Sequence, residues 1–167
     1  TCSDPQAVFV FPAGTGLGGN EAMLGNGTHG FLLDTRVTGD LTVTVRVSDG
    51  SGHSVQRQCT VTSRYPKFSA MVQTMSSAAL YSDSPMTLII RSTEYAGDYT
   101  VSYTTTSTNC RVSYGGSMLR PDSPVTLEAG QHIFTANSSY AERTEFVFTI
   151  TDIYGQSQQA QASITWR

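Results

Sequence analysis

Charge is scarce in this chain: Asp, Glu, Lys and Arg together make up 14% of its 167 residues, against about 25% in an average soluble domain. The basic residues are scattered and the net charge is −3, which excludes the basic stripe that nucleic-acid binding needs. Cysteine is rare as well. Cys2, Cys59 and Cys110 make an odd count, so they close no disulfide framework, and their spacing matches no zinc site. No apolar run reaches the roughly 18 residues that span a bilayer, and no charged segment followed by an apolar one opens the chain. Nor does any stretch repeat apolar residues at i, i+3, i+4 and i+7 for long enough to form a helix.

Ser, Thr and Gly are abundant instead, the composition of an extracellular β-protein. The stretch from Thr144 to Ser157 shows how the chain is organised. Phe146, Phe148 and Ile150 alternate with Glu145, Val147 and Thr149, the period-two pattern of a half-buried strand. Asp152 to Gly155 then supplies a turn, because Asp bonds the backbone two residues on and Gly takes a positive φ without a Cβ clash. Ala160, Ala162, Ile164 and Trp166 alternate along the return strand of a hairpin.

The same hairpin occurs earlier, 103 residues back and without a gap. His29 stands under His132, Phe31 under Phe134, Asp49 under Asp152, Gly52 under Gly155, and Arg64 under Arg167. The chain therefore reads as a tandem repeat, with Arg64-Tyr65-Pro66 as a short stiff connector. Residues 65–167 are predicted to form one complete β-sandwich of about eight strands. Its core would hold Phe134, Phe146, Phe148, Ile150, Ile164 and Trp166. Residues 1–64 would be the C-terminal part of a second such unit, which by the same register would have begun about 38 residues before Thr1. On this reading the parent protein is longer at its N-terminus, and the partial unit is covered by upstream sequence, a neighbouring copy or the second unit. The alternative is a smaller, self-sufficient sandwich with Val43, Val45 and Val47 buried by its own segment.

Candidates for chemistry are few. Gly14, Gly16 and Gly19 satisfy G-x-G-x-x-G after a short strand at Ala7 to Phe11, but a dinucleotide site needs a helix next, and Gly25 interrupts the chain four residues after Glu21. No cofactor is expected. His29 and His132 take equivalent positions before an inward Phe and His53 lies at a turn tip, so the histidines assemble neither a metal site nor a triad. No catalytic or metal-binding residue is assigned, and no enzyme activity is expected. Asp49, Gly52, Asp152 and Gly155 read as structural turn residues, since neither Asp has the companion carboxylates calcium requires. Cys59 shares the phase of Val55 and Val61 and reads as a buried core residue; a Cys2–Cys59 bridge is the alternative that an exported protein permits. Asn26-Gly27-Thr28 and Asn137-Ser138-Ser139 have the form of glycosylation sequons. Tyr95, Tyr99, Tyr103 and Tyr114 offer either a carbohydrate-stacking face or core, and the loops Gly14 to Gly19 and Asp122 to Ser123 are the candidate binding loops.

The second unit also carries a resemblance. Tyr65-Pro66, the strand G-D-Y-T-V-S-Y at Gly97 to Tyr103, Gly115-Gly116, Arg120-Pro121-Asp122, Leu127, Phe134 and the closing Asp152, Tyr154 and Gly155 resemble the conjugative-transposon protein TraQ family over about residues 65–167. The resemblance implies an exported lipoprotein of a Gram-negative transfer apparatus, with an immunoglobulin-like β-sandwich and no catalysis. The expected fold is thus all-β, with tandem immunoglobulin-like β-sandwich modules of which the first is incomplete at its N-terminus. The expected role is a structural or spacer module of a multi-domain envelope protein, at the outer surface or in the periplasm. Its partners would be other modules of the same or another envelope protein, with no nucleic acid and no membrane span of its own; a glycan- or protein-binding adhesion domain is the alternative.

Overall fold

The computed structural model describes residues 1–18 and 20–167. Among them every regular element is a strand, and the chain divides into two units, Thr1–Tyr65 and Pro66–Arg167.

In the second unit the strands are β7 (Phe68–Thr74), β8 (Ser77–Ala78), β9 (Ser84–Ser92), β10 (Tyr99–Thr105), β11 (Cys110–Tyr114), β12 (Ser117–Leu119), β13 (Val125–Leu127), β14 (Gly130–Ser138), β15 (Arg143–Thr151) and β16 (Ser157–Trp166). They form two five-stranded sheets, ordered β12-β11-β14-β9-β7 and β13-β10-β15-β16-β8. Between β7 and β8 the chain leaves one sheet for the other, running antiparallel to β9 and then parallel to β16. The inward positions interdigitate as period two requires. Met86, Leu88, Ile90, Val112 and Phe134 from one sheet, and Tyr99, Val101, Phe146, Phe148, Ile150, Ile164 and Trp166 from the other, are all buried in a single cluster. Phe134 and Phe148, from opposite sheets, pack at 5.0 Å with their rings at 60°.

All six expected core residues are therefore buried. What the alternation missed are β8 and β12, which at two and three residues are too short to show it. Gly115 and Gly116, at φ 57° and 80°, make the two-residue turn that folds β12 back on β11.

The first unit contains β1 (Val8–Val10), β2 (Gly16–Gly18), β3 (Glu21–Ala22), β4 (Leu32–Asp34), β5 (Gly39–Ser48) and β6 (Ser54–Ser63). They pair as three two-stranded ribbons, β1-β4, β2-β3 and β5-β6. Bonds recur here at the offset of 103 residues. Ser3 N donates to Thr42 O as Thr106 N does to Glu145 O, and Thr42 N donates to Ser3 Oγ as Glu145 N does to Thr106 Oγ1. Cys2 bridges to Val43 where Thr105 pairs with Phe146. Yet the packing differs. Val43 is 2% exposed, whereas Val45 and Val47 are 37% and 65% exposed, so the alternative of a self-sufficient sandwich that buries all three with its own segment does not hold. Alternation selects a face of the ribbon, and an opposing sheet is what buries it.

The cysteine expectations are overturned together. Cys59 is exposed and all three thiols are free. Cys2 and Cys59 both pair with Val43, from opposite sides of β5, which sets their Cα atoms about two strand spacings, or roughly 9.5 Å, apart. A disulfide tolerates at most about 7 Å.

Candidate functional site

Asp152 caps its turn with both carboxylate oxygens. Oδ1 accepts from Tyr154 N at 2.9 Å and from Gln156 N at 2.8 Å, while Oδ2 accepts from Gln156 Nε2 at 2.7 Å. Gln156 Nε2 also donates to Pro66 O at 3.0 Å, tying this end of the sandwich to its first residue. Asp49 repeats the arrangement, accepting from Ser51 N at 2.9 Å and His53 N at 3.0 Å, with His53 Nδ1 at 3.2 Å from Oδ2. Gly52 and Gly155 close the two turns at φ 88° and 83°. The Ser51 backbone N–H, and next the His53 ring, hold the Asp49 carboxyl below its ordinary value. These carboxylates are engaged with backbone, and among the described residues no group of three His, Cys, Asp or Glu side chains is placed to hold a metal ion.

The histidines brace loops. Nε2 of His29 donates to Gly25 O at 2.7 Å and Nε2 of His132 to Glu128 O at 2.8 Å. That leaves His132 Nδ1 to accept from the Tyr114 hydroxyl at 3.1 Å, an arrangement His29 lacks because Phe11 stands at the equivalent place.

Of the four tyrosines, Tyr99 and Tyr103 are buried and Tyr95 and Tyr114 half-buried. Tyr103 donates to Leu119 O at 3.2 Å, and the Tyr95 ring meets Tyr99 and Tyr154 edge-on at 5.7 and 6.0 Å. They seal the core instead of forming a carbohydrate-stacking face. In the glycine-rich loop Gly14 takes φ 80°; Gly19 lies outside the described residues. Where a dinucleotide fold needs a helix the chain runs as β3, paired with β2. Asp122 adopts φ 62° and its N–H donates to Tyr103 O at 2.9 Å. Of the sequon asparagines, Asn26 is exposed and Asn137 donates to Asp83 at 2.9 Å.

Sequence reasoning overlooked a part-buried polar pair. Ser107 donates its hydroxyl to Glu142 Oε1 and accepts from Asn109 N at 3.1 Å; Asp4 does the corresponding work in the first unit, accepting from Thr35 Oγ1 at 2.6 Å and Gln6 N at 2.9 Å. The S-x-N and D-x-Q patterns were the available signal, being capping motifs in which a short polar side chain bonds the backbone two residues on. Nearby, burial pushes the Cys110 thiol up to about 11, an inert structural thiol. One open groove is lined by Lys67, Phe68, Ile90, Arg91 and Gly130, among others. It offers an apolar floor and two cationic side chains, with no histidine or carboxylate in the lining to activate its hydroxyls.

No protein-family model matches the chain, and no curated protein does. Solved structures do. A conjugative transposon lipoprotein from Bacteroides eggerthii aligns with a TM-score of 0.53 at 14% identity, over 60% of this chain and 98% of that one. A lipoprotein from Bacteroides thetaiotaomicron aligns with a TM-score of 0.52 at 16% identity, over 63% of this chain and 83% of that one. The likeness is one of fold.

Proposed function

We propose that this chain is a non-catalytic structural or spacer part of an exported, multi-domain bacterial envelope protein, associated with a conjugative transfer apparatus and built from tandem copies of one immunoglobulin-like module. The recurrence of hydrogen bonds at a fixed 103-residue offset carries this reading: main-chain pairs, Asp-capped turns and histidine braces all repeat. The strand order supports the module's kinship. Taking β7, β9, β10, β11, β14, β15 and β16 as A to G, one sheet reads A-B-E-D and the other C-F-G, as in an immunoglobulin-like sandwich. The similarity in fold to a conjugative transposon lipoprotein supports transfer as the setting.

A spacer is defined by its dimensions and not by its surface. Replacing residues 66–167 in the full-length gene by an unrelated sandwich of similar span should preserve transfer frequency in a conjugation assay, whereas deleting them should lower it. Loss of transfer on replacement, or a defined saccharide binding with micromolar affinity on a glycan array, contradicts the proposal and favours an adhesion role.

A further inference from the structure

A ladder begins along the outer edge of β5 and stops partway. Thr1 N donates to Thr44 O and Thr44 N to Thr1 O, both at 2.8 Å, the reciprocal pair of an antiparallel strand. Ser3 N donates to Thr42 O at 2.9 Å, and Cys2 bridges to Val43 between them. Every second residue of a strand turns its main-chain groups to the same side, so the N–H and C=O of Arg46 and Ser48 also face away from β6. Among the described residues nothing bonds them. The second unit carries the same ladder through. Val147, which stands 103 residues beyond Thr44, pairs with Thr104, and pairing continues through Phe148–Tyr103, Thr149–Ser102 and Ile150–Val101 to Thr151–Thr100. Tyr103 and Val101 are buried there, and the Tyr103 ring lies 6.2 Å from that of Phe148.

We infer that the stretch of the parent protein joined to Thr1 is a strand that completes this ladder, antiparallel to β5. Thr1 fixes its register. The residue before Thr1 falls opposite Val45 and the third before it opposite Val47, as Tyr103 and Val101 stand opposite Phe148 and Ile150. The second and fourth exchange main-chain bonds with Arg46 and Ser48. The first and third are therefore aromatic or β-branched, and the second and fourth small and polar, as Ser102 and Thr100 are. The occupant is the chain's own because Thr1 already holds it in register, and a tethered strand loses none of the translational freedom that a second molecule must give up on binding. This rests on the tandem-module reading and names what completes the first module.

Amide hydrogen exchange on the chain lengthened by about ten residues of the parent sequence before Thr1, enough for a full strand, tests this. Relative to the chain that begins at Thr1, the amides of Arg46 and Ser48 should slow by about a hundredfold or more. Arg46→Pro removes an N–H that faces away from β6, where an edge strand admits proline. It should leave the β5-β6 ladder of the shorter chain intact and abolish the protection of Ser48 in the longer one. Unchanged exchange at Arg46 and Ser48 in the longer chain overturns the inference, as does a charged residue or proline at the first or third place before Thr1. Protection that appears in the shorter chain and rises with its concentration assigns the edge to a second copy and overturns it as well. Any of these results with transfer preserved on replacing residues 66–167 strikes the strand alone, whereas loss of transfer strikes the spacer role.

Discussion

Trp166 donates its indole N–H to Thr144 Oγ1 at 3.1 Å, and both residues are buried, at 1% and 0% exposure. The bond joins β16 to its neighbour β15 and satisfies a donor with no route to water. Thr144→Val keeps the shape but removes the acceptor, so it should destabilise the second unit by about 1–3 kcal/mol, the cost of an orphaned buried donor. Thr144→Ser should recover most of that. Chemical denaturation followed by tryptophan fluorescence reports it directly, since Trp166 is the only tryptophan; equal stability of the Val variant would show the bond to be unimportant.

Phe148 and Val45 occupy equivalent places in the two hairpins, yet Phe148 is fully buried and Val45 is 37% exposed. Phe148→Ala should cost about 3–5 kcal/mol through lost burial and the cavity left behind, whereas Val45→Ala should stay within about 0.5 kcal/mol. Comparable losses from the two would mean that the first unit's face is covered in solution.

Because hydrogen bonds favour its charged form, Asp49 has a folded pKa below its ordinary value of 3.8. A depressed carboxylate stabilises the fold above the unfolded value, and that contribution is lost as pH falls through the folded one. The β5-β6 turn should therefore hold throughout the neutral range and loosen only below about pH 3.8. The amide resonances of Ser51 and His53 should report the transition, and Asp49→Asn should abolish it; a midpoint above the ordinary carboxylate value contradicts the capping geometry.

Thiol reactivity separates Cys59 from Cys110. Cys59 is exposed, while Cys110 is buried with its thiol pushed up to about 11. Alkylation of the native chain near pH 8, followed by peptide mapping, should label Cys59 readily and Cys110 only after denaturation. Prompt labelling of Cys110 would mean that the end of the sandwich around Glu142 opens.

Much of the second unit was legible in the sequence, because most of its strands are long enough for period two to declare itself and turns such as Gly115-Gly116 and Asp152 to Gly155 carry the residues their backbone needs. Phe146, Phe148 and Ile150 read as inward and are inward. The first unit was legible only in its local chemistry: the Asp49 turn and the His29 brace follow from residues a few positions apart. Whether Val45, Val47 and Cys59 are covered depends on an opposing sheet, which no local pattern encodes. β8 and β12 escaped notice for want of length, and the Ser107–Glu142 pair because its partners lie 35 residues apart.

If one module is present twice, as proposed, the local bonds recur in both hairpins while only the second is closed over a core. Amide hydrogen exchange on the intact chain tests it most directly, since exchange measures the free energy of opening at each backbone bond. Residues 146–150 of β15 and 160–164 of β16 should be protected to the level of global unfolding. Residues 45–48 of β5 and 54–57 of β6 should exchange orders of magnitude faster, although the same ladder bonds are drawn between them. Equal protection in the two hairpins would contradict the account.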